Sequence, residues 1–180
     1  MTRTAVITFG RMNPITAGHE KLINKLSKLS RVCEAEPLLF LSHTSDNTKN
    51  PLDYLTKILL AKQAFPDVNV RISNSRTIIE VMRELQGDYT DVIKIVGSDR
   101  VIEFDNLLQK YNNKDYYFDS ITVASAGTRD PDSSDVDGMS ATKMREAAKN
   151  ADEQAFTLGL PEKLKPMSKL IMNQVRKQIV

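Results

Sequence analysis

The sequence predicts an α/β fold: a doubly wound parallel sheet of five strands followed by C-terminal helices. Five short apolar runs, each rich in branched residues, alternate with segments whose apolar residues recur at helical spacing. The joints between them carry glycine, proline or capping side chains, and the connections are short. Such alternation leads to one parallel sheet with helices on both faces and right-handed crossovers.

The first strand is TAVITF, residues 4–9, closed by Gly10. A helix follows directly, with Leu22, Ile23, Leu26 and Leu29 on one stripe and Thr16 placed to cap it. EPLLFLSH, residues 36–43, is the second strand. After the polar loop SDNTKN, Asn50-Pro51 begins a helix that Pro66 ends. VNVRI, residues 68–72, alternates as a strand, and RTIIEVMRELQ forms the third helix with Gly87 as its stop. DVIKIVG, residues 91–97, is the fourth strand and SDRVIEFDNLLQKYN, residues 98–112, the fourth helix. YYFDSITVA, residues 116–124, completes the sheet. Residues 125–138 are too rich in Gly, Pro, Asp and Ser for a regular element. Ser140 then caps a short helix, ATKMREAAKN, and two more helices occupy about 151–158 and 163–178.

The expected strand order is the Rossmann-like 3-2-1-4-5, in a single domain of residues 1–180 with a core of about 4–147 and a helical extension over 148–180. A chain of 180 residues has the length of one domain with a substantial core. Lys and Arg exceed Asp and Glu only by 25 to 23, against 41% hydrophobic residues, which excludes a disordered chain and speaks against a general nucleic-acid binder. The single Cys33, with only His19 and His43, supplies too few soft ligands for a zinc site and suits a reducing compartment. The start of the chain reads as neither a signal peptide nor a membrane span, so a soluble, cytoplasmic protein with no membrane or nucleic-acid partner is expected.

In a parallel sheet of this kind ligands bind beyond the carboxyl ends of the strands. Three unusual clusters lie there. Gly10-Arg11-Met12-Asn13-Pro14-Ile15-Thr16-Ala17-Gly18-His19 joins the first strand to its helix. A helix start offers unpaired amides and positive potential to a phosphate, and Thr16 and His19 add donors beside Gly18. Neither a P-loop pattern nor GxGxxG is present. Met139-Ser140-Ala141-Thr142-Lys143-Met144-Arg145 forms a second helix start with cationic donors suited to phosphate oxygens. Gly97-Ser98-Asp99-Arg100 closes the fourth strand, where Asp99 can accept from ribose hydroxyls and Arg100 can meet a second substrate's phosphate. Each cluster taken singly also reads as ordinary helix capping.

Together they resemble the HIGH-type nucleotidylyltransferase superfamily. GRMNPITAGH is similar to the superfamily's first motif, MSATKMR to its I-S-x-T-x-x-R motif, and GSDR to the G-x-D stretch after strand four. Thr16 stands where the H-x-G-H form has its first histidine, and Met139 replaces the usual isoleucine. The resemblance implies transfer of a nucleoside monophosphate from a nucleoside triphosphate to a phosphorylated acceptor, with release of pyrophosphate. It implies catalytic roles for Thr16, His19 and Arg145 at the phosphates, with His19 at the α-phosphate. Phe9, Gly10, Arg11, Gly18, Gly97, Asp99, Ser140, Thr142 and Lys143 would bind nucleotide, and Asn13, His43, Lys49 and Arg100 the acceptor. Tyr54 and Lys57, beside Lys49, are further candidates for the acceptor side. Mg²⁺ is expected with ATP, with no protein carboxylate cluster dedicated to it. The Asp-rich stretch 130–137 lacks the final glutamate of a calcium loop and reads as a polar lid.

The branch most resembled is that of nicotinamide-mononucleotide adenylyltransferases, an activity of NAD biosynthesis. The alternatives are pantetheine-phosphate adenylyl transfer, glycerol- or choline-phosphate cytidylyl transfer, and a non-catalytic nucleotide sensor. Lys165-Pro166-Met167-Ser168-Lys169-Leu170 resembles the KMSKS loop of class I aminoacyl-tRNA synthetases, but the chain is too small for that function. The expected partners are ATP and a phosphorylated small-molecule acceptor, with homo-oligomer formation left open.

Overall fold

The computed structural model describes residues 2–127 and 139–179. The lid expected over 130–137 lies outside them. Five parallel strands run in the order 3-2-1-4-5, and helices flank the sheet in a Rossmann-like arrangement. The strands are β1 (Thr4–Gly10), β2 (Glu36–Leu41), β3 (Asn69–Val70), β4 (Asp91–Val96) and β5 (Ser120–Ser125). The helices are α1 (Ala17–Val32), α2 (Tyr54–Ala64), α3 (Ile78–Leu85), α4 (Val101–Tyr111), α5 (Ala141–Lys149), α6 (Glu153–Gly159) and α7 (Ser168–Gln178). Short 3-10 segments, Ser98–Arg100 and Glu162–Met167, lead into α4 and α7.

The chain divides into two compact units. One, residues 1–9, 24–42 and 67–128, carries the sheet, α3 and α4. Its core sets Ala5, Ile7, Leu38, Phe40 and Val92 of the sheet against Ile78, Val81, Met82 and Leu85 of α3 and Leu108 of α4. Ala5, Val6 and Ile7 are all fully buried, as a central parallel strand covered on both faces requires. The other unit, residues 10–23, 43–66 and 129–180, carries the start of α1 together with α2, α5, α6 and α7. In it α5, α6 and α7 pack on one another, and α2 packs on the 3-10 segment Glu162–Met167. Among the described residues no helix is long and apolar enough to cross a membrane.

Several boundaries differ from the sequence expectation, each for a local hydrogen-bonding reason. The second helix begins after Asp53, whose carboxylate accepts from the Thr56 amide, and not at Asn50-Pro51. The upstream residues are held in a loop in which Asp46 accepts from the amides of Thr48, Lys49 and Asn50. β3 is only two residues long, because beyond Val70 and the single bond from the Arg71 amide to the Leu39 carbonyl the chain turns to Glu84. There Ser75 donates to the Glu84 carboxylate at 2.9 Å. β5 starts at Ser120 and not at Tyr116, because the Asn112 carboxamide takes both the amide and the carbonyl of Phe118. Tyr116 donates to the Leu108 carbonyl at 2.8 Å, which fixes that approach against α4.

Two features of this framework have measurable consequences. Thr77 and Glu80 form a reciprocal capping box at the start of α3, the helix that seals the sheet core. Thr77→Ala is expected to lower the unfolding free energy by about 1 kcal/mol in urea denaturation. Lys57, on α2, is fully buried and donates to the Arg11 carbonyl at 2.8 Å. Burial, with the Arg11 charge adding to it, pushes its ammonium down from 10.5 to about 8. The unfolded chain therefore binds more protons than the folded one between those values, so this group's contribution makes stability rise with pH over that window. Unfolding free energies between about pH 8 and 10 should climb more steeply for the wild type than for Lys57→Met, with a difference on the order of 3 kcal/mol across the full shift. Equal slopes would show that Lys57 is not desolvated.

Candidate functional site

The segment between β1 and α1 is held by its own side chains. The Thr16 hydroxyl accepts from the His19 amide at 3.3 Å, and the Thr16 amide donates to His19 Nδ1 at 3.0 Å. The arrangement is a capping box in which an imidazole takes the place of the usual N3 carboxylate. A ring nitrogen that accepts an amide hydrogen carries none itself, so the imidazole proton resides on Nε2. His19 is thereby fixed as an Nε2–H donor at the start of α1. Beside it, the first-turn amides of Ala17 and Gly18 have no acceptor within the helix. Neutral donors and the positive end of the helix dipole thus converge at one point.

Upstream, Met12 adopts φ +44°, a left-handed conformation unusual for a residue with a side chain, and the Asn13-Pro14 peptide is cis. The Asn13 carboxamide donates to the Leu52 carbonyl at 2.9 Å and accepts from the Leu52 amide at 2.8 Å. Both ends of this side chain are engaged, so in this structure Asn13 ties the loop to the lead-in of α2. Lys57 holds the next carbonyl but one, that of Arg11. Arg11 itself is exposed.

Ser140 caps α5 as its sequence position suggests, accepting from the Lys143 amide at 3.2 Å. One turn on, Arg145 donates through Nη1 to the Asn13 carbonyl at 3.0 Å and through Nη2 to Thr142 Oγ1 at 3.1 Å. The first turn of α5 and the loop before α1, more than a hundred residues apart in sequence, are thus joined directly. Burial lowers the pKa of Arg145, the Asp46 carboxylate opposes that, and Arg11 reinforces it. Arginine remains cationic at any ordinary pH. Arg11, Lys57 and Arg145 therefore sit within electrostatic reach of one another, a grouping that an anion would relieve.

His43 stacks on Tyr54, with ring centroids 3.8 Å apart and planes 19° apart. Lys49 is exposed at the end of the loop that Asp46 organises. Donation from Asn50 and from the Lys49 and Thr48 amides holds the Asp46 carboxyl well below the usual carboxylate range. Gly10, Arg11, Asn13, Thr16, Gly18, His19, His43, Lys49, Ser140, Thr142, Lys143 and Arg145 all belong to this one unit. Phe9, Gly97, Asp99 and Arg100 belong to the sheet-bearing unit. There Phe9 packs against the core, and a Cβ on Gly97 would come within 2.8 Å of Asp99 Oδ1. Glycine at 97 is what lets that carboxylate fold back over the strand end. Arg100 is exposed and pairs with Glu103 at 3.2 Å.

Two features escape a reading of the sequence. Asp46 sits in a polar stretch with nothing to mark it as the organiser of its loop. Lys94 lies in an apolar run that reads simply as a strand, and the one available signal is a charge in the middle of a buried parallel strand. Among the described residues no group of three or more His, Cys, Asp or Glu side chains is placed to hold a metal ion.

No protein-family model matches the chain, and no curated protein sequence matches it. Among solved structures, the Plasmodium falciparum nicotinic acid mononucleotide adenylyltransferase complexed with NaAD is similar. The alignment covers 97% of this chain and 95% of that one, with a TM-score of 0.55 and 14% sequence identity. At that identity the likeness is one of fold: the chain has the Rossmann-like architecture on which that adenylyltransferase is built.

Proposed function

We propose that the chain is a nucleotidylyltransferase that transfers AMP from ATP to a phosphorylated acceptor, nicotinic acid or nicotinamide mononucleotide being the favoured class. The observation that carries this reading is the bond from Arg145 to the Asn13 carbonyl, because it joins two helix starts rich in phosphate donors. The likeness in fold to an adenylyltransferase supports it.

In this reading an oxygen of the acceptor's phosphate attacks the α-phosphorus, the bond to the β-phosphate breaks, and pyrophosphate leaves. No protein nucleophile is needed: the work is alignment and neutralisation of charge at the α-phosphate. The His19 Nε2–H, with the first-turn amides of α1, stabilises the α-phosphate oxygens. Ser140, Thr142, Lys143 and Arg145 hold the β- and γ-phosphates and the departing pyrophosphate. Arg11, His43 and Lys49 serve the acceptor. Mg²⁺ belongs with the triphosphate, where it offsets phosphate charge.

His19→Ala is expected to lower kcat by on the order of 100- to 1,000-fold while ATP affinity changes only a few-fold. Pyrophosphate release and equilibrium binding of ATP would be measured on the same folded preparation. Unchanged kcat removes His19 from the reaction. Arg145→Lys keeps the charge but loses the fork that spans Asn13 and Thr142, so a rise in KM for ATP of about tenfold or more is expected. Pyrophosphate release with each nucleoside triphosphate across phosphorylated acceptors identifies both substrates, and no release with any pair would overturn the reading.

A further inference from the structure

The sequence of α2, YLTKILLAKQA, spreads apolar residues almost all the way round the helix, and a helix of that composition is ordinarily covered on every side. Ile58, Leu60, Ala61 and Ala64 are buried. The opposite side is not covered. Leu55 and Leu59, one turn apart, are 66% and 68% exposed, and Lys62, a further turn along the same stripe, is exposed too. A single exposed apolar side chain needs no explanation. The other large ones among the described residues, Val32, Ile72, Ile102, Tyr117, Leu158 and Leu170, stand one to a segment, so the pair on α2 is the exception.

The two ends of the helix carry opposite charges. Asp53, exposed at its start, spends Oδ1 on the Thr56 amide and keeps Oδ2 for a second contact. Lys62, in the last turn, meets no carboxylate among the described residues. A helix with leucines along its middle, an acid at its start and a base at its end is complementary to its own reverse. Laid antiparallel about a two-fold axis at the middle of the helix, Leu55 faces Leu59 of the second copy and Asp53 comes level with Lys62, each contact being made twice. The helix dipoles also oppose one another in that arrangement. A foreign partner would have to supply the same pattern, and a second copy already has it.

We propose that this face of α2 is the contact between two copies of the chain, paired antiparallel through Leu55 and Leu59, with an Asp53–Lys62 ion pair at each end. The leucines supply the strength and the charges the direction, because exposed ion pairs add little by themselves. Four leucines on two short helices bury less than a standard interface, so the dimer is weak and reversible, with a dissociation constant on the order of 10 to 100 µM. Leu55 and Leu59 lie on the side of the helix away from Lys57, so pairing leaves the bond from Lys57 to the Arg11 carbonyl intact. The inference stands on the exposed face alone and holds whether or not the chain transfers nucleotides.

Sedimentation velocity from about 5 to about 500 µM protein, in about 50 mM NaCl, tests this. The wild type is expected to pass from monomer to dimer over that range and Leu59→Gln to stay monomeric, its unaltered urea midpoint showing that the fold is kept. Lys62→Glu sets two carboxylates together at each end and is expected to weaken dimerisation about tenfold. The direction of pairing is read by disulfide cross-linking in a Cys33→Ser background, which removes the chain's single cysteine. Chains carrying Leu55→Cys should join chains carrying Leu59→Cys faster than either joins its own kind. A wild type that is monomeric at every concentration overturns the proposal, and so does a dimer undiminished in Leu59→Gln. Unchanged dimerisation in Lys62→Glu, or cross-linking chiefly between like chains, overturns the antiparallel arrangement.

Discussion

The donation from the Arg145 guanidinium to the Asn13 carbonyl is the contact on which the candidate site depends. A helix start by itself binds anions weakly and without selectivity; two of them aimed at one ligand do far more, provided that their spacing is held. Arg145 fixes that spacing through one nitrogen while the other secures Thr142 on its own helix. The acceptor of the bond is also fixed. Asn13 cannot drift, because Leu52 grips its side chain at both ends, and Lys57 secures the Arg11 carbonyl two residues earlier. A loop carrying a left-handed methionine is thus over-determined from three directions, as strained functional loops must be.

That rigidity has an electrostatic side. Lys57 gives up part of its affinity for a proton to remain buried beneath the loop, and Arg145 is partly desolvated beside Arg11. Cations gathered in this way repel one another in the free protein, and a polyanion of the kind the proposed reaction uses would relieve that repulsion.

Much of this was legible in the sequence because the signals are local. Apolar runs alternating with helical stripes gave the strand count, and the order 3-2-1-4-5 agrees with the expectation. Thr16 and Ser140 cap their helices because short polar side chains before an apolar stripe have few better uses. What could not be read is non-local. Nothing near Asn13 says that Leu52 will occupy its carboxamide, and nothing near Tyr116 says that Asn112 will delay the fifth strand. Lys94 hides for the same reason: an apolar run tolerates one charge on paper, and only the register with Ile7 and Val123 shows where that charge points.

The imidazole of residue 19 has a consequence for how this chain could vary. A glutamate or glutamine at that position would close the same ring of bonds with Thr16, and a glutamate would also suit the positive end of the helix better. Helix stability therefore supplies no reason to keep histidine there, and swapping it for glutamate would separate a sound architecture from its chemistry. Under the proposed reaction, related chains with an acidic residue at this point would keep the scaffold without the Nε2–H donor.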